Sequence, residues 1–395
     1  MIHPFSFSRI PHIIFGTGKL NELYNIIPEF GNNVLLVIGR SSLKQSGKWN
    51  KINSNLENKS INFSSVSVSG EPSPTFIDDI VAKYRNKNLD LVVGIGGGSV
   101  TDAGKAISAM MTKEVSIKNY LEGVGNKIHD GKKIPYIAIP TTSGTGSEAT
   151  KNAVISEVGS EGFKKSLRHD NFIPNIAIID PTLMVSCPPS VSAACGMDAF
   201  TQLLEAYVSS KANPITDALA FSGMKFISEN LLLACSAGAL NVDVRGAMAY
   251  GSLLSGITLA NAGLGIIHGL ASPIGGFFKI PHGVICGTLL AEATEQNIEK
   301  LQILGSEGKI GLKKHAQIGA LLSGEYYVQE DKIQYYCLKL IEILRKWTRD
   351  LNVDRLGKYG IDEEYVDKIV ENAGLKNNPV NLSKDDIKKI VLNRL

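Results

Sequence analysis

The sequence is short of the residues that would point to disulfides, nucleic acid or a membrane. Only five of its 395 residues are cysteines, and none forms a C-x-x-C pair, so free thiols in a reducing, cytoplasmic setting are expected. The formal net charge is only +3, too small to favour nucleic acid or an acidic membrane surface as a partner. No basic segment followed by an apolar core opens the chain, so no signal peptide is expected. The longest apolar stretch, residues 251–267, is interrupted by glycines and polar residues, which predicts a buried helix and loop instead of a membrane span.

What the sequence does have is a change of pattern near its middle. Before residue 180, short apolar runs alternate with helical periodicity, which predicts a mostly parallel sheet with helices on both faces. The runs are Val34–Ile38, Phe63–Val68, Leu91–Ile95, Tyr136–Ile139 and Ile176–Ile179. The sequence therefore predicts an α/β dinucleotide-binding domain over residues 1–185 and an all-helical domain over residues 186–395. The active site is expected in the cleft between them.

After Pro188-Pro189, the strand signals stop and only helical patterns follow. These patterns predict helices over Ser190–Ser209, Pro214–Ser236, Asp243–Ala260 and His282–Asn297, and again from about Asp331 to the end. In the first half, helices are predicted over Ser73–Asn86 and Thr101–Met111.

The glycine-rich stretch Gly96–Lys105 is the strongest local signal. It follows an apolar run that predicts a buried strand and precedes an apolar helical pattern. A glycine turn at that junction lets the backbone approach a phosphate closely, where unpaired N–H groups and the helix dipole favour negative charge. Asp102 and Lys105 add polar groups on the first turn of the predicted helix. The stretch therefore predicts phosphate binding, with a plain structural turn as the alternative.

Four polar residues of the second half could together form a metal site. Asp198 and Gln202 are four residues apart in a helical pattern, so both side chains lie on one face of the helix. His268 and His282 lie in apolar surroundings bounded by glycine or proline. Considered separately, Asp198 and Gln202 are typical of a hydrogen-bonded pair on a surface, and each histidine is typical of a buried core residue. Together they could bind a metal and leave one position for substrate, although spacing alone does not show that they meet.

Several motifs, in order and nearly from end to end, resemble those of the iron-containing (group III) alcohol dehydrogenase family. They are the opening strand and turn Phe15–Gly18, the phosphate loop Gly96–Lys105, the segment Pro140–Glu148, the helix that contains Gly196-Met197-Asp198, the stretch Gly265–His268, Pro281-His282-Gly283 and the terminal Asn378-Pro379. The resemblance implies a Rossmann-like N-terminal domain, an all-α C-terminal domain and a dehydroquinate synthase-like architecture. It also implies hydride transfer between a nicotinamide and an aldehyde or ketone, with a divalent metal that polarises the carbonyl.

The same resemblance implies roles for individual residues. Those expected to contact the cofactor are Gly97, Gly98 and Ser99 at the pyrophosphate, Thr141, Thr142 and Thr145 at the phosphates and the nicotinamide ribose, and Asn152 and Lys164, with Lys165 as an alternative to Lys164. Asp198, His268 and His282 occupy three metal-ligand positions and are the expected catalytic residues. The expected metal is Fe²⁺, with Zn²⁺ or another divalent ion as alternatives.

This chain departs from the family pattern at two positions. Gln202 stands at the fourth ligand position, which is usually histidine, and an amide oxygen is a weaker ligand for iron or zinc than imidazole. The metal would then bind less tightly, exchange more easily or be absent, and a divalent ion is still expected at Asp198, His268 and His282. Ser272 stands where many relatives carry a histidine linked to proton relay. Protonation of the alkoxide would then depend on water, on Ser272 or on the cofactor ribose.

Coenzyme preference follows from the turn after the first nucleotide-domain strand. In relatives that prefer NAD, an acidic residue there accepts hydrogen bonds from the adenosine ribose. Here the turn is Ile38-Gly39-Arg40-Ser41-Ser42, with no carboxylate. An arginine beside two hydroxyls suits a 2′-phosphate, so NADP(H) is predicted to be preferred over NAD(H), with a solvated arginine as the alternative.

Other functions remain open at this level. A metal-independent reductase resembling maleylacetate reductases is disfavoured by Asp198, His268 and His282, whereas a lyase resembling dehydroquinate synthase would recycle its dinucleotide. A non-catalytic binding protein would arise only if Gln202 and Ser272 had abolished turnover. The expected partner is a small alcohol or aldehyde, with no nucleic acid and no membrane. Relatives often form dimers or larger assemblies, so the resemblance also allows a homodimer or a larger homo-oligomer.

Overall fold

Six parallel strands form the main sheet of the N-terminal domain. The computed structural model describes residues 3–395. The strands of the structure are β1 His12–Phe15, β2 Asn33–Gly39, β3 Asn62–Val68, β4 Leu91–Gly96, β5 Tyr136–Pro140, β6 Asn152–Glu157, β7 Phe163–Arg168 and β8 Ile176–Ile179. In the main sheet the order is β1-β8-β5-β4-β2-β3, and every neighbouring pair is parallel. Each of the five apolar runs predicted as strands lies within one of them.

Helices cover both faces of this sheet. The helices of this part are α1 Leu23–Phe30, α2 Ser42–Gln45, α3 Lys48–Asn58, α4 Pro74–Tyr84 and α5 Gly98–Met110. Because side chains alternate along a strand, Leu35 and Val37 of β2 pack with α4 and α5, whereas Leu36 and Ile38 pack with α1 and α3. Every residue of β4 is buried, as expected for a central strand of a parallel sheet.

The C-terminal domain contains only helices among its regular elements. They are α6 Pro189–Val208, α7 Pro214–Ala234, α8 Val242–Ala262, α9 Ile266–Phe277, α10 His282–Ile303, α11 Lys309–Leu322, α12 Ile333–Asp350, α13 Glu363–Asn372 and α14 Lys384–Leu392. Their buried faces share one large apolar core, in which Phe200 of α6 meets Trp347 of α12 edge to face with ring centroids 4.9 Å apart. The predicted α/β and all-α division of the chain is confirmed.

The sequence prediction missed helices α1, α2, α3, α9 and α11 and the strand pair β6–β7, and of these α9 and the strand pair matter most here. Helix α9 contains Pro273 and three glycines, which weaken a helical pattern, yet most of its residues are buried in the core and packing stabilises it. The antiparallel pair β6–β7 was also missed, because β7 carries two lysines and an arginine within six residues. Both elements lie beside the candidate site.

The apolar stretch near residue 260 falls at the junction of α8 and α9. No single helix within residues 3–395 is long and apolar enough to cross a membrane. Within the same residues, one pair of helices, α8 and α9, is long and apolar enough when the two are taken together, but they are bent by 100° at their junction.

Candidate functional site

Three side chains from three different helices converge in the C-terminal domain. Asp198 lies in the middle of α6, His268 near the start of α9, and His282 is the first residue of α10. The Asp198 Oδ1 atom lies 3.3 Å from Nε2 of His268 and 3.8 Å from Nε2 of His282. Asp198 therefore meets two histidines that lie 70 and 84 residues further along the chain, which spacing in the sequence could not show.

A fourth donor, which sequence reasoning missed, belongs to the same cluster. Cys286 follows His282 by one turn of α10, and its Sγ lies 3.7 Å from Nε2 of His268 and 3.7 Å from Nε2 of His282. The donor atoms of Asp198, His268, His282 and Cys286 all lie within 4.8 Å of one another. The available signal was the four-residue spacing of His282 and Cys286, which places both on one face of a helix.

Glu205, two turns after Asp198 on α6, orients one of these imidazoles. Its Oε2 accepts a hydrogen bond from Nδ1 of His268 at 2.6 Å, and its Oε1 accepts one from the backbone N–H of Ile267 at 2.7 Å. Because a carboxylate only accepts, Nδ1 carries a proton, and Nε2 is the nitrogen that faces the cluster, where a bound metal would displace the proton it holds. A carboxylate behind a histidine in this way is typical of metal-ligating histidines.

The electrostatics of the metal-free cluster favour an anionic carboxylate beside one neutral and one protonated imidazole. Burial alone would raise the pKa of Asp198, but His282 and His268 outweigh it and lower that pKa to about 2. Burial and the charge of Lys164 lower the pKa of His282 to about 3, so this imidazole is neutral at pH 7. Burial would lower the pKa of His268, but Cys286 and Glu205 raise it well above its ordinary value.

The donor set fits a divalent cation. Oδ1 of Asp198 and Nδ1 of His282 are buried without a hydrogen-bond partner within residues 3–395, although buried polar atoms are ordinarily paired. A carboxylate, two imidazoles and a thiol are the ligand types that iron and zinc take in proteins. The residues present therefore match the group that the sequence motifs imply.

Gln202, the residue at the expected fourth ligand position, has a hydrogen-bond partner outside the cluster. It lies one turn after Asp198 on α6, and its Oε1 accepts a hydrogen bond from Oγ of Ser255 at 2.7 Å. Ser255 belongs to α8, and its Oγ also lies 2.8 Å from the carbonyl oxygen of Ser252. The amide oxygen is therefore already engaged by a neighbouring helix.

The glycine turn lies at the carboxyl end of β4, as predicted. Gly97 is the N-cap of α5, and a Cβ added to it would lie 3.2 Å from Oγ1 of Thr142. A Cβ on Gly98 would lie 2.6 Å from Cγ2 of Thr145. These threonines therefore pack directly on the turn, where a Cβ on Gly98 would overlap a side chain.

Asp102 and Lys105 are placed differently from the expectation that they add polar groups to the phosphate site. Lys105 is 1% exposed, and its Nζ donates to the carbonyl oxygens of Ser147 and Asn152 and to Oγ1 of Thr150. Oδ1 of Asp102 accepts from Oγ of Ser147 at 2.5 Å. Burial lowers the pKa of Lys105 to about 8, although Asp102 opposes the shift. The two side chains tie α5 to the segment after β5.

Two further candidate cofactor residues lie on the strand pair β6–β7. Asn152 begins β6, with its Nδ2 3.3 Å from Oγ of Ser166. Lys164 lies on β7, forms an ion pair with Glu71, and its carbonyl oxygen accepts from Oγ of Ser272 at 2.9 Å. This last contact joins the β6–β7 pair to the helix that carries His268.

Arg40 directly follows β2, the strand next to β4 in the sheet. Its backbone N–H donates to the carbonyl oxygen of Val68 at 3.1 Å, and its side chain is exposed. Within residues 3–395 its guanidinium forms no hydrogen bond or ion pair. A Cβ on Gly39 would lie 3.9 Å from Cγ2 of Val100 in α5, so Arg40 and the glycine turn share one edge of the sheet.

Close contacts join the glycine turn to the metal cluster. Gly144, two residues after Thr142, lies against Cys195 so closely that a Cβ would be 2.8 Å from its Cβ. Cys195 precedes Asp198 by three residues on α6, which places both on one side of that helix. A Cβ on Gly256 of α8 would likewise overlap the carbonyl oxygen of Gly146. The segment that packs on the glycine turn therefore also contacts α6, which carries Asp198, and α8.

Comparison with known proteins agrees with this arrangement. The family described as iron-containing alcohol dehydrogenase matches residues 11–181, and the C-terminal domain of Fe-containing alcohol dehydrogenases matches residues 192–395. Long-chain-alcohol dehydrogenase 1 of Geobacillus thermodenitrificans is 33% identical over 392 residues, covering 97% of this chain and 94% of that protein. NADPH-dependent butanol dehydrogenase of Clostridium saccharobutylicum is 29% identical over 388 residues, covering 96% of this chain and 95% of that protein. The solved structure of an archaeal alcohol dehydrogenase from a Red Sea brine pool superposes with a TM-score of 0.90 at 26% identity, covering 100% of this chain and 99% of that chain.

Proposed function

Since the chain belongs to the iron-containing alcohol dehydrogenase family, we propose that it works as an NADPH-dependent aldehyde reductase with a divalent metal at Asp198, His268 and His282. The family makes it an oxidoreductase of CH–OH groups that uses NAD(P) and a divalent metal. The single observation that carries the proposal is the convergence of these three side chains from three helices. When bound, the metal supplies Lewis-acid polarisation of the substrate carbonyl.

The protein's own contribution is orientation and exclusion of water. Glu205 fixes the tautomer and ring direction of His268, so its Nε2 faces Asp198. Asp198 and His268 are 2% and 5% exposed, so the charge of the carboxylate acts in a medium of low dielectric, where electrostatic interactions are strong. Holding the carbonyl and the nicotinamide in one dry cleft lowers the entropic cost of their encounter.

We assign the dinucleotide to the edge of the sheet at the glycine turn. Gly97, Gly98 and Ser99 begin α5, where unpaired backbone N–H groups and the helix dipole attract a pyrophosphate. Thr142 and Thr145 pack on that turn and carry hydroxyls that both donate and accept. Thr141, Asn152 and Lys164 complete the assigned cofactor contacts, with Lys165 exposed on the next position of β7.

We assign the coenzyme preference to Arg40. Its guanidinium is exposed and unpaired beside the turn, so a 2′-phosphate on the adenosine ribose could pair with it through charge-assisted hydrogen bonds. The relatives of this chain include both NAD-dependent and NADPH-dependent enzymes, so the family alone leaves the choice open.

The test is a panel of aldehydes, ketones and alcohols assayed with each coenzyme, before and after chelation and with Fe²⁺ or Zn²⁺ restored. The expected result is net NADPH oxidation in step with aldehyde reduction, loss of turnover after chelation, and recovery on adding metal. The Asp198→Asn variant, which keeps the shape of the side chain but removes its charge, should bind metal poorly and resist recovery. Full activity after chelation would replace this mechanism with a metal-independent reductase, and a dinucleotide that is recycled without net oxidation would replace it with a lyase.

A further inference from the structure

We propose that the thiolate of Cys286 is the fourth protein ligand of this metal, in place of the Gln202 amide. Cys286 is fully buried on α10, and its Sγ lies 3.7 Å from Nε2 of both His268 and His282. This inference depends on the proposed metal site, but on neither the substrate nor the coenzyme.

The separations within the cluster are those of four ligands around one ion. Metal–ligand bonds of about 2.0–2.3 Å in a tetrahedral arrangement place neighbouring donor atoms about 3.3–3.8 Å apart. Asp198 Oδ1 lies 3.3 Å from Nε2 of His268 and 3.8 Å from Nε2 of His282, and the sulfur lies 3.7 Å from each imidazole nitrogen. Four measured edges therefore fall within the range for a common centre. The substrate oxygen would join this centre as a fifth ligand, an expansion that catalytic zinc sites allow.

Gln202 is a poorer candidate for the same role. Its amide oxygen accepts the Ser255 hydroxyl hydrogen bond at 2.7 Å, so a metal would compete with an existing donor. An amide is also a neutral and weak ligand, whereas a thiolate is a strong ligand for zinc and iron. Cys286 makes no comparable bond outside the cluster, since its sulfur contacts within residues 3–395 are the two metal-site histidines.

Thiolate ligation also balances charge. On binding, the S–H bond of Cys286 breaks, a sulfur–metal bond forms, and the proton leaves to solvent. The carboxylate of Asp198 and the thiolate then supply two negative charges opposite a divalent ion. The two imidazoles are neutral ligands, so the buried site carries no net charge from these five groups.

The test uses cobalt, whose thiolate complexes show a charge-transfer band in the near ultraviolet that oxygen and nitrogen ligands do not give. One equivalent of Co²⁺ added to the metal-free wild-type protein should produce this band. The Cys286→Ser variant should lack the band and bind metal at least about tenfold more weakly. Loss of a residue that only hydrogen-bonds a metal ligand already lowers affinity by about 10–100-fold, so loss of a ligand itself should have at least the smaller effect. It should also release one proton fewer on binding.

Two matched variants separate the alternatives. Cys337→Ser removes a buried thiol that bonds the Leu312 carbonyl far from the cluster, and it should keep the band. Gln202→Leu should keep the band and should change the metal affinity by less than about twofold.

Cobalt bound by the wild type without a thiolate band, or a band that survives in Cys286→Ser, would overturn the assignment of Cys286 while leaving the metal site intact. Failure of the wild type to bind cobalt at all would remove the metal site and this ligand together. The wild-type spectrum decides even if Cys286→Ser does not fold.

Discussion

His268 and Glu205 form a buried pair in which Nδ1 of the imidazole donates to the carboxylate at 2.6 Å. The other oxygen of Glu205 accepts from the N–H of Ile267, the residue before His268, so the carboxylate is held at two points. This pair leaves only Nε2 for the metal, and it makes that nitrogen more basic. Glu205 is thus a positioning residue, because it acts on the metal only through the histidine.

The first prediction follows from that pair. Glu205→Gln should lower metal affinity by about 10–100-fold, because an amide polarises the imidazole less than a carboxylate does. Competition of the purified protein with a chelator of known affinity measures the change directly. Glu307→Gln removes the charge of an exposed carboxylate and should leave affinity unchanged. If Glu205→Gln holds metal as tightly as the wild type, the carboxylate has no influence on the site.

The second prediction concerns Arg40. Arg40→Asp removes the proposed partner of the 2′-phosphate and adds a carboxylate that repels it. The ratio of kcat/KM for NADPH to kcat/KM for NADH should therefore fall by about 10–100-fold. This is the effect expected for loss of a charged hydrogen bond worth roughly 1.5–3 kcal/mol. Steady-state kinetics with both coenzymes measures this ratio. Arg349→Asp makes the same charge change on the exposed end of α12 and should leave the ratio unaltered. A wild type that already favours NADH would contradict the assignment before any variant is made.

The third prediction concerns Ser272, which stands at a position linked to proton relay in relatives. Its hydroxyl donates to the carbonyl oxygen of Lys164 at 2.9 Å, so its proton is directed at the backbone and away from substrate. Ser272→Ala should therefore change kcat by less than about threefold and leave the pH profile in place, while costing about 1 kcal/mol of stability for the lost hydrogen bond. A tenfold drop in kcat with a shifted pH profile would instead place the serine in the proton path.

The sequence predicts this site unevenly, for physical reasons. Periodicity located the strands that carry the glycine turn, because burial on both faces of a parallel sheet leaves uninterrupted apolar runs. Residue types and spacing suggested a metal site, but only the family motifs implied that its members meet, since α6, α9 and α10 come together by tertiary packing that no local pattern encodes. Helix α9 itself was missed, because Pro273 and its glycines mask a helix that burial stabilises.

Lys105 and Cys286 show why the direction of a side chain could not be predicted from the sequence. A lysine soon after a glycine loop favours phosphate binding, yet Lys105 faces inward and bonds Ser147, Thr150 and Asn152. The sequence singled out no role for Cys286, yet its sulfur lies against the imidazoles of His268 and His282. Each direction depends on neighbours far away in the chain.

The fourth prediction concerns Glu148, which is 3% exposed beside the same buried lysine network. Burial raises its pKa to about 7, although a backbone hydrogen bond and Lys105 oppose the shift. The folded state therefore favours the protonated form, so this stabilisation is complete below the unfolded pKa of about 4.5 and is lost as the pH rises to about 7. Between pH 5 and pH 8, the free energy of unfolding of the wild type, measured by thermal unfolding, should fall relative to that of Glu148→Gln by roughly 3 kcal/mol at most. Glu325→Gln, an exposed control, should follow the wild type across the range, and parallel curves for the wild type and Glu148→Gln would mean that Glu148 ionises normally.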